Sequence, residues 1–415
     1  MPWPAGRFPC LLVENVQVVA TGGRIGRAKN QRAKLARALC VAYSGWVRRA
    51  RLTWGAALAV LALGWGFGRP LIAGSPRTAA LAASVSGTDT ARGPKSAPAG
   101  AETAFTSPAA CAALLAGRQR LSRAPGKARF ASWNLHWFPD GDSQQRDPGI
   151  DVPWMACALA WLDADVVAIQ EVKQTPKAVR ALATLLSELN RLSGARYVAR
   201  LDDCGSSVPQ HVGLMWNEAR VTATDVQTVA ALNPHGSACE KQLRPGLAAR
   251  FRFPSGLDLG AVSAHFKSQA DSRALLLRRA SFAAVPSVAR ALSDAARDPD
   301  FLLLGDLNTM GCDECEPPIS AAEELTAVQR LLGSGVRLVP ADATGTERYR
   351  GNFTLLDHAL GSTAMRELAP GSRTHVAGIC AADAPALTKR AADKVGRELS
   401  DHCPIVLDLT DQDLD

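Results

Sequence analysis

The sequence predicts an α/β layered domain, and three observations carry that prediction. From about Ala109 onward, strand-like segments alternate with segments of helical period. The strands are joined both by tight turns and by helices, which indicates a layered domain of about 300 residues. Acids, amides and imidazoles stand where apolar strands stop, where strand ends hold side chains rigidly while loops open them to solvent.

The elements follow in order. Ala128–Trp133 reads as a strand and Val152–Leu162 as a helix carrying Trp154 and Trp161. Asp165–Ile169 is a short buried strand, followed by a helix from Pro176 to Leu192. Tyr197–Leu201 and His211–Trp216 read as strands. Leu247–Phe253 and Leu257–Ala264 pair across Pro254-Ser255-Gly256, a turn signal. A long helix covers Asp271–Ala295, and Phe301–Leu304 is a buried strand ending at Gly305. Leu355–Leu360 and Ile405–Leu409 complete a domain expected over 109–412.

What precedes that domain differs in composition. Residues 1–70 hold eleven Lys or Arg against one acid, Glu14. Of the chain's 47 basic and 39 acidic residues this leaves 36 and 38 for the remainder, a net of −2, so the overall +8 belongs to the leader. A basic footprint for non-specific nucleic-acid binding is therefore not evident in the domain. Arg48, Arg49 and Arg51 precede Leu52–Gly68, seventeen uncharged residues closed by Arg69 and Pro70. Such a run lies between a long signal peptide and a short membrane span, and its flanking charge sends the remainder across the membrane. Residues 1–51 then form a basic tail, 52–73 a signal peptide or anchor, and 74–108 a flexible Ala/Ser/Gly/Pro-rich linker. The domain is expected to be exported: periplasmic, secreted or membrane-anchored.

Cysteine usage agrees with export. Beyond Cys10 and Cys40 there are eight: Cys111, Cys157, Cys204, Cys239, Cys312, Cys315, Cys380 and Cys403. An even number in an oxidising compartment reads as disulfides of unreadable connectivity. Cys312-Asp-Glu-Cys315 has the spacing of half a zinc site, but no second pair completes it.

Six short segments place a reactive side chain beside a buried strand: Trp133-Asn134-Leu135, Gln170-Glu171-Val172, Ala264-His265-Phe266-Lys267-Ser268, Gly305-Asp306-Leu307-Asn308, Leu356-Asp357-His358 and Ser400-Asp401-His402-Cys403-Pro404. Each alone reads as a turn acid, a strand-end carboxylate or a satisfied histidine. Together, over Lys127–Leu409, they resemble in order and spacing the endonuclease/exonuclease/phosphatase superfamily. The resemblance implies a four-layer α/β/β/α sandwich of deoxyribonuclease I type and metal-dependent hydrolysis of phosphate esters.

The chemistry suits these residues. Attack of water on a phosphodiester adds charge to its non-bridging oxygens, so the site needs a cation, a group that orients water, and donors for the developing charge. Glu171 and Asp401 are hard oxygen donors suited to Mg²⁺, with Mn²⁺ as an alternative, and Asn134 can add a neutral oxygen. The resemblance assigns these three to the metal. Asp306 and Asn308, two apart on an extended stretch, are expected to point to one side, orienting water and donating to phosphate. His265 and His402 are the imidazoles, and the resemblance implies that Asp357 fixes His402. The acid that usually partners the first histidine has no clear counterpart, Asp202 and Asp203 being the nearest guesses. Arg244 and Lys267 read as structural or solvated rather than phosphate-binding, and His358 as structural, facing away from Asp357.

Function is read as an exported phosphodiesterase, with a nuclease acting on DNA or RNA first. The alternative is a phospholipid, sphingomyelin or inositol-phosphate esterase at a membrane surface. No obligate protein partner is evident, and a catalytically silent binding module is the third reading.

Overall fold

The computed structural model describes residues 101–415 apart from 206–208, 237–238, 241–242, 350–351 and 383. The predicted basic tail, the apolar segment 52–73 and the linker up to residue 100 lie outside the described residues. Among the described residues no helix is long and apolar enough to cross a membrane.

Two six-stranded sheets lie at the centre. The first contains β1 (Lys127–Phe138), β2 (Val166–Val172), β3 (Tyr197–Leu201), β4 (His211–Asn217), β13 (His375–Val376) and β14 (Ile405–Thr410), in the order β13-β14-β1-β2-β4-β3. The second contains β5 (Thr222–Val229), β6 (Gly246–Arg252), β7 (Asp258–His265), β8 (Phe301–Asp306), β9 (Val336–Val339) and β12 (Asp357–Ser362), in the order β5-β6-β7-β8-β12-β9. Each has one parallel pair at its centre, β1 with β2 and β7 with β8, so both neighbours end at the same edge. A short hairpin, β10 (Glu347–Tyr349) and β11 (Asn352–Thr354), stands apart from both.

The sheets pack face to face through alternate side chains. On β1, Phe130 faces inward, with its ring 6.3 Å from that of Phe251 on the other sheet. The opposite face of β1 carries Trp133, which meets Phe105, and Phe105 meets Trp161, at 5.7 and 5.6 Å. Trp161 belongs to α2 (Val152–Leu162), which with α1 (Pro108–Ala116) and α3 (Pro176–Ser193) covers the first sheet. The second sheet is covered by α4 (Ser272–Ala296) and α5 (Ala321–Leu332), with Phe282 edge-on to Phe266 at 4.9 Å. The architecture is the predicted four-layer α/β/β/α sandwich. A last helix, α6 (Lys389–Glu398), leads into the Asp401-His402 loop.

Local chemistry sets the helix ends. Asp151, Thr175 and Asp271 cap α2, α3 and α4, each accepting from a backbone N–H three residues on. Ser320 and Glu323 form a full capping box at α5. Gly194 ends α3 in the left-handed region at φ 70°, where a side chain would be strained.

Several expectations are corrected here. The predicted linker runs too far: residues 101–105 form a 3₁₀ turn, α1 begins at Pro108, and Phe105 is buried against the tryptophans. The strands β5, β9, β10, β11 and β13 and the helices α1, α5 and α6 were not predicted. All eight late cysteines are paired, as Cys111–Cys157, Cys204–Cys239, Cys312–Cys315 and Cys380–Cys403. The Cys312-x-x-Cys315 spacing is thus one small disulfide loop.

Candidate active site

Strand register builds the site. His265, the last residue of β7, pairs with Asp306, the last of β8, and Asp306 pairs with Asp357, the first of β12. Three reactive side chains therefore stand side by side on one edge of the second sheet. The first sheet brings Asn134 opposite Gln170, one residue before Glu171. Beneath them Gln170 donates to Ser132 at 3.1 Å and to Ser263 of the other sheet at 3.2 Å, a buried polar link between the layers.

Asp306 is the meeting point. Its Oδ2 accepts from Nδ2 of Asn134 at 3.0 Å and lies 3.4 Å from Nε2 of His265 and 3.8 Å from Nε2 of His402. Glu171, at φ 63°, places Oε1 3.8 Å from the same nitrogen of His265, while its Oε2 accepts from the N–H of Trp137 at 3.0 Å. Nδ1 of His402 lies 2.8 Å from Oδ2 of Asp357, which is fully buried.

The two imidazoles are pushed in opposite directions. Burial, then the charges of Arg244, His402 and Lys267, hold His265 well below its usual value, so it is neutral. Against the same burial penalty, Asp357 and Asp306 hold His402 well above, so it is charged. Burial also raises Asp306 well above the carboxylate range, helped by Asp357, Glu171 and Glu347 and opposed by His402.

Two residues missed in the sequence belong here. His136 lies between carboxylates, Nδ1 2.7 Å from Asp401 and Nε2 2.7 Å from Asp147. Against burial these acids lift it to about 9, and it in turn keeps Asp401 below its usual value despite burial. His136 and Trp137 are both left-handed, in a bulge that opens the β1–β2 register between Asn134 and Phe138. No periodicity announces such a bulge, although a histidine two residues beyond Asn134 was visible. Glu347 of the β10–β11 hairpin reaches 3.9 Å from Nε2 of His402, and burial, with the charges of Asp401, Asp357 and Glu171, raises it to about 7.

The other predicted residues are placed as follows. Asn308 is near but not by the predicted alternation: its backbone is left-handed at φ 51°, its N–H donates to Asp306 at 3.1 Å, and its amide donates to the carbonyl of Phe266 at 3.3 Å. Asp401 engages His136, and among the described residues Glu171, His265 and Asp306 form a group with ligand atoms within 4.8 Å of one another that does not include Asp401. Asp202 pairs with His211 at 2.8 Å, not with His265, whose Nδ1 is buried with no hydrogen-bond partner among the described residues. Asp203 accepts from the Thr228 hydroxyl at 3.4 Å. Arg244 is buried against Gln210, and Lys267 bonds Ser268 and Gln269. His358 points to the hydroxyl of Thr309 at 2.8 Å.

The sequence profile of the Endonuclease/Exonuclease/phosphatase family matches residues 131–402. The chain belongs to that family. Its members hydrolyse phosphate esters and are typically dependent on a divalent metal. Solved structures similar to this chain include a humanised TDP2 of D. rerio, 16% identical, covering 68% of this chain and 98% of that one at a TM-score of 0.45. A family protein from Bacteroides vulgatus is 18% identical over 68% and 98%, at 0.44. The human Nocturnin catalytic domain is 15% identical over 70% and 97%, at 0.45. Among curated proteins, none matches.

The residues present fit the cation that the family implies. Glu171, Asp306, Glu347, Asp357 and Asp401 gather around His402 and His136, and burial, with the repulsion of neighbouring acids, raises Asp306 and Glu347. Carboxylate and amide oxygens are donors that hard divalent ions prefer.

Proposed function

We propose that the protein is an exported, Mg²⁺-dependent phosphodiesterase that hydrolyses polynucleotides with activated water. The observation that carries this reading is the convergence of Asn134, His265 and His402 on one oxygen of Asp306. A proton acceptor flanked by one neutral and one charged imidazole suits in-line attack on an anionic ester.

The roles follow from the atoms. Glu171 with Asn134, Asp306 and Asp401 would hold the ion, which supplies positive charge to the phosphate. Oδ2 of Asp306 orients the attacking water and takes its proton, while the amide of Asn134 steers that oxygen. His402, turned by Asp357, donates from Nε2 to a phosphate oxygen as charge develops. His265, held neutral, presents Nε2 on the other side of Asp306. His136 anchors Asp401 in place.

Support for a polyanionic substrate comes from the cleft beside Asp401. A cavity of about 350 Å³ is lined by His136, Arg348, Lys389, Arg397 and Asp401 among others. Lys389 is paired with Asp393, whereas the guanidinium of Arg348 lies over the ring of Phe353, 4.7 Å from its centre. These cations suit a phosphate next to the scissile one, although the domain as a whole is near neutral. Export is supported by the eight paired cysteines.

The deciding experiment is a panel of DNA, RNA, sphingomyelin and inositol phosphates, each with Mg²⁺ or Mn²⁺ and with EDTA. Cleavage of nucleic acid that EDTA abolishes is expected. Turnover of sphingomyelin or an inositol phosphate in its place replaces this reading with a membrane-surface esterase. Inertness toward every ester leaves a binding module.

A further inference from the structure

The strands that deliver His265 and Asp306 to the active site carry a second group of acids at their other ends. Asp258 begins β7, and Asp300 immediately precedes β8. Asp298 shares the turn after α4, Glu367 follows β12, and Asp415 follows β14. Six residues of extended chain separate Asp300 from Asp306, roughly 20 Å, so the group is distinct from the active site.

One carboxylate oxygen from each of Asp298, Asp300 and Asp415 lies within 4.8 Å of the others. Glu367 supplies the independent observation. It is 1% exposed and faces Asp300, itself 3% exposed. Oε2 of Glu367 and Oδ1 of Asp300 are both buried and, among the described residues, meet no donor; the two carboxyl groups lie within hydrogen-bond reach of each other. The other oxygen of Glu367, Oε1, accepts from the N–H of Leu414 at 2.5 Å, and Oδ1 of the neighbouring Asp298 accepts from the backbone N–H of Asp300 at 2.8 Å. Arg250 reaches Asp258 at 2.9 Å and Asp298 at 3.8 Å, and Arg252 reaches Asp258 at 3.1 Å. Among the described residues no ion pair reaches Asp300 or Glu367.

We propose that Asp298, Asp300 and Asp415, with Glu367 beside them, bind one Ca²⁺-like cation that fastens the C-terminal residues to the end of the sandwich. Two buried acceptors facing each other without a donor repel unless something positive lies between them. The donors are all oxygens, from four residues in three separate segments, an irregular set that Ca²⁺ tolerates and Mg²⁺ does not. No thiolate or imidazole is among them, which disfavours zinc. The same tail is already tied nearby, where the N–H of Leu257 donates to Asp411 at 3.2 Å. Burial first, then the facing carboxyl groups of Asp258 and Glu367, raises Asp298 and Asp300 respectively. A shared proton is the rival way to satisfy them, and the two are separable.

The test uses the full chain carrying Glu171→Gln, which weakens cation binding at the active site, in Ca²⁺ calorimetry and in melts with Ca²⁺ or EDTA. Ca²⁺ should bind and raise Tm by several degrees. Adding Asp298→Asn and Asp300→Asn should remove one bound ion, lower the affinity by about 100-fold, and erase the Tm rise. In EDTA that variant should melt at or above its parent, because acid repulsion has been removed. Asp298→Asn alone, at a half-buried position, guards against misfolding and should weaken binding about 10-fold. An unchanged ion count in the double variant, or no effect of Ca²⁺ on melting of the parent, would overturn the proposal.

Discussion

His265 and His402 reach the same carboxylate oxygen, yet one is held neutral and the other charged, and the difference lies in what stands behind each ring. His402 has Asp357 at 2.8 Å on Nδ1; among the described residues His265 has no bonded partner on Nδ1, and the charge of Arg244 is nearby. Replacing Asp357 by Asn keeps the shape and removes the charge that orients and protonates His402. We expect kcat to fall by about 10²- to 10³-fold with little change in KM, because that charge matters most as the phosphate gains charge. Steady-state kinetics on whichever ester is turned over checks this, and an equal loss confined to KM would contradict it. His358, one residue on, behaves oppositely: burial lowers it to about 4 from 6.5, and its ring stays neutral against Thr309. Between those values the unfolded chain binds the extra proton, so stability climbs with pH through that window and is lost on acidification. The contribution lost between pH 7.5 and 5 is about 2 kcal/mol. Because the amide of His358→Gln can keep the bond to Thr309 and does not titrate, urea midpoints of wild type and variant should agree near pH 7.5 and separate at pH 5, with wild type the lower.

At the scale of elements, the loops that carry the site are held by a buried ion pair that the sequence did not announce. Arg278 of α4 bonds Glu324 of α5 at 2.8 Å, and its remaining donors reach the carbonyls of Lys267, Gln269 and Gly311. Those carbonyls lie just beyond His265 and Asn308. Arg278→Met leaves Glu324 charged and unpaired at zero exposure, which costs roughly 3–5 kcal/mol. Arg278→Met with Glu324→Leu should recover much of the stability but not the activity, since the loop carbonyls stay unheld; chemical denaturation and turnover measured together separate the effects. Buried elements were legible because their apolar runs are continuous: α2 has the bounds read from sequence, and Phe301–Leu304 extends only to Asp306. The strand β5 was not legible, because it lies at the sheet edge with mostly exposed residues and no alternation to read. The start of α5 is legible in the sequence as a capping box, Ser320 to Glu323. The site was legible wherever a reactive side chain ends a buried strand. It was lost where a bulge turns His136 inward, or where a short exposed hairpin supplies Glu347. It was misjudged at Asn308, where a left-handed residue breaks the expected alternation.

For the whole molecule, the two sheets supply the rigid edge and the disulfides tie down the segments around it. Cys111–Cys157 joins α1 to α2 on the outer face of the first sheet, and Cys204–Cys239 closes the connection that spans β4 and β5. Cys380–Cys403 is the bridge nearest the chemistry, because Cys403 follows His402 and donates its N–H to the carbonyl of Thr346, one residue before Glu347. Its two half-cystines are 23 residues apart, so the loop-closure account assigns it about 3 kcal/mol. Replacing both by Ala should lower stability by that order and reduce activity further than the loss of folded protein explains, because the Asp401-His402 loop loses its tether. Cys312–Cys315 closes a loop of three residues and should matter much less to stability. If the predicted leader carries the domain out of the cytoplasm, protein recovered from the oxidising side should show all eight cysteines protected from alkylation before reduction. Protein trapped in the cytoplasm should show them free, with a lower melting temperature and weaker turnover. Equal melting and equal turnover for the reduced and oxidised forms would mean that the sheets alone hold the catalytic loop, and the cysteines would no longer argue for export.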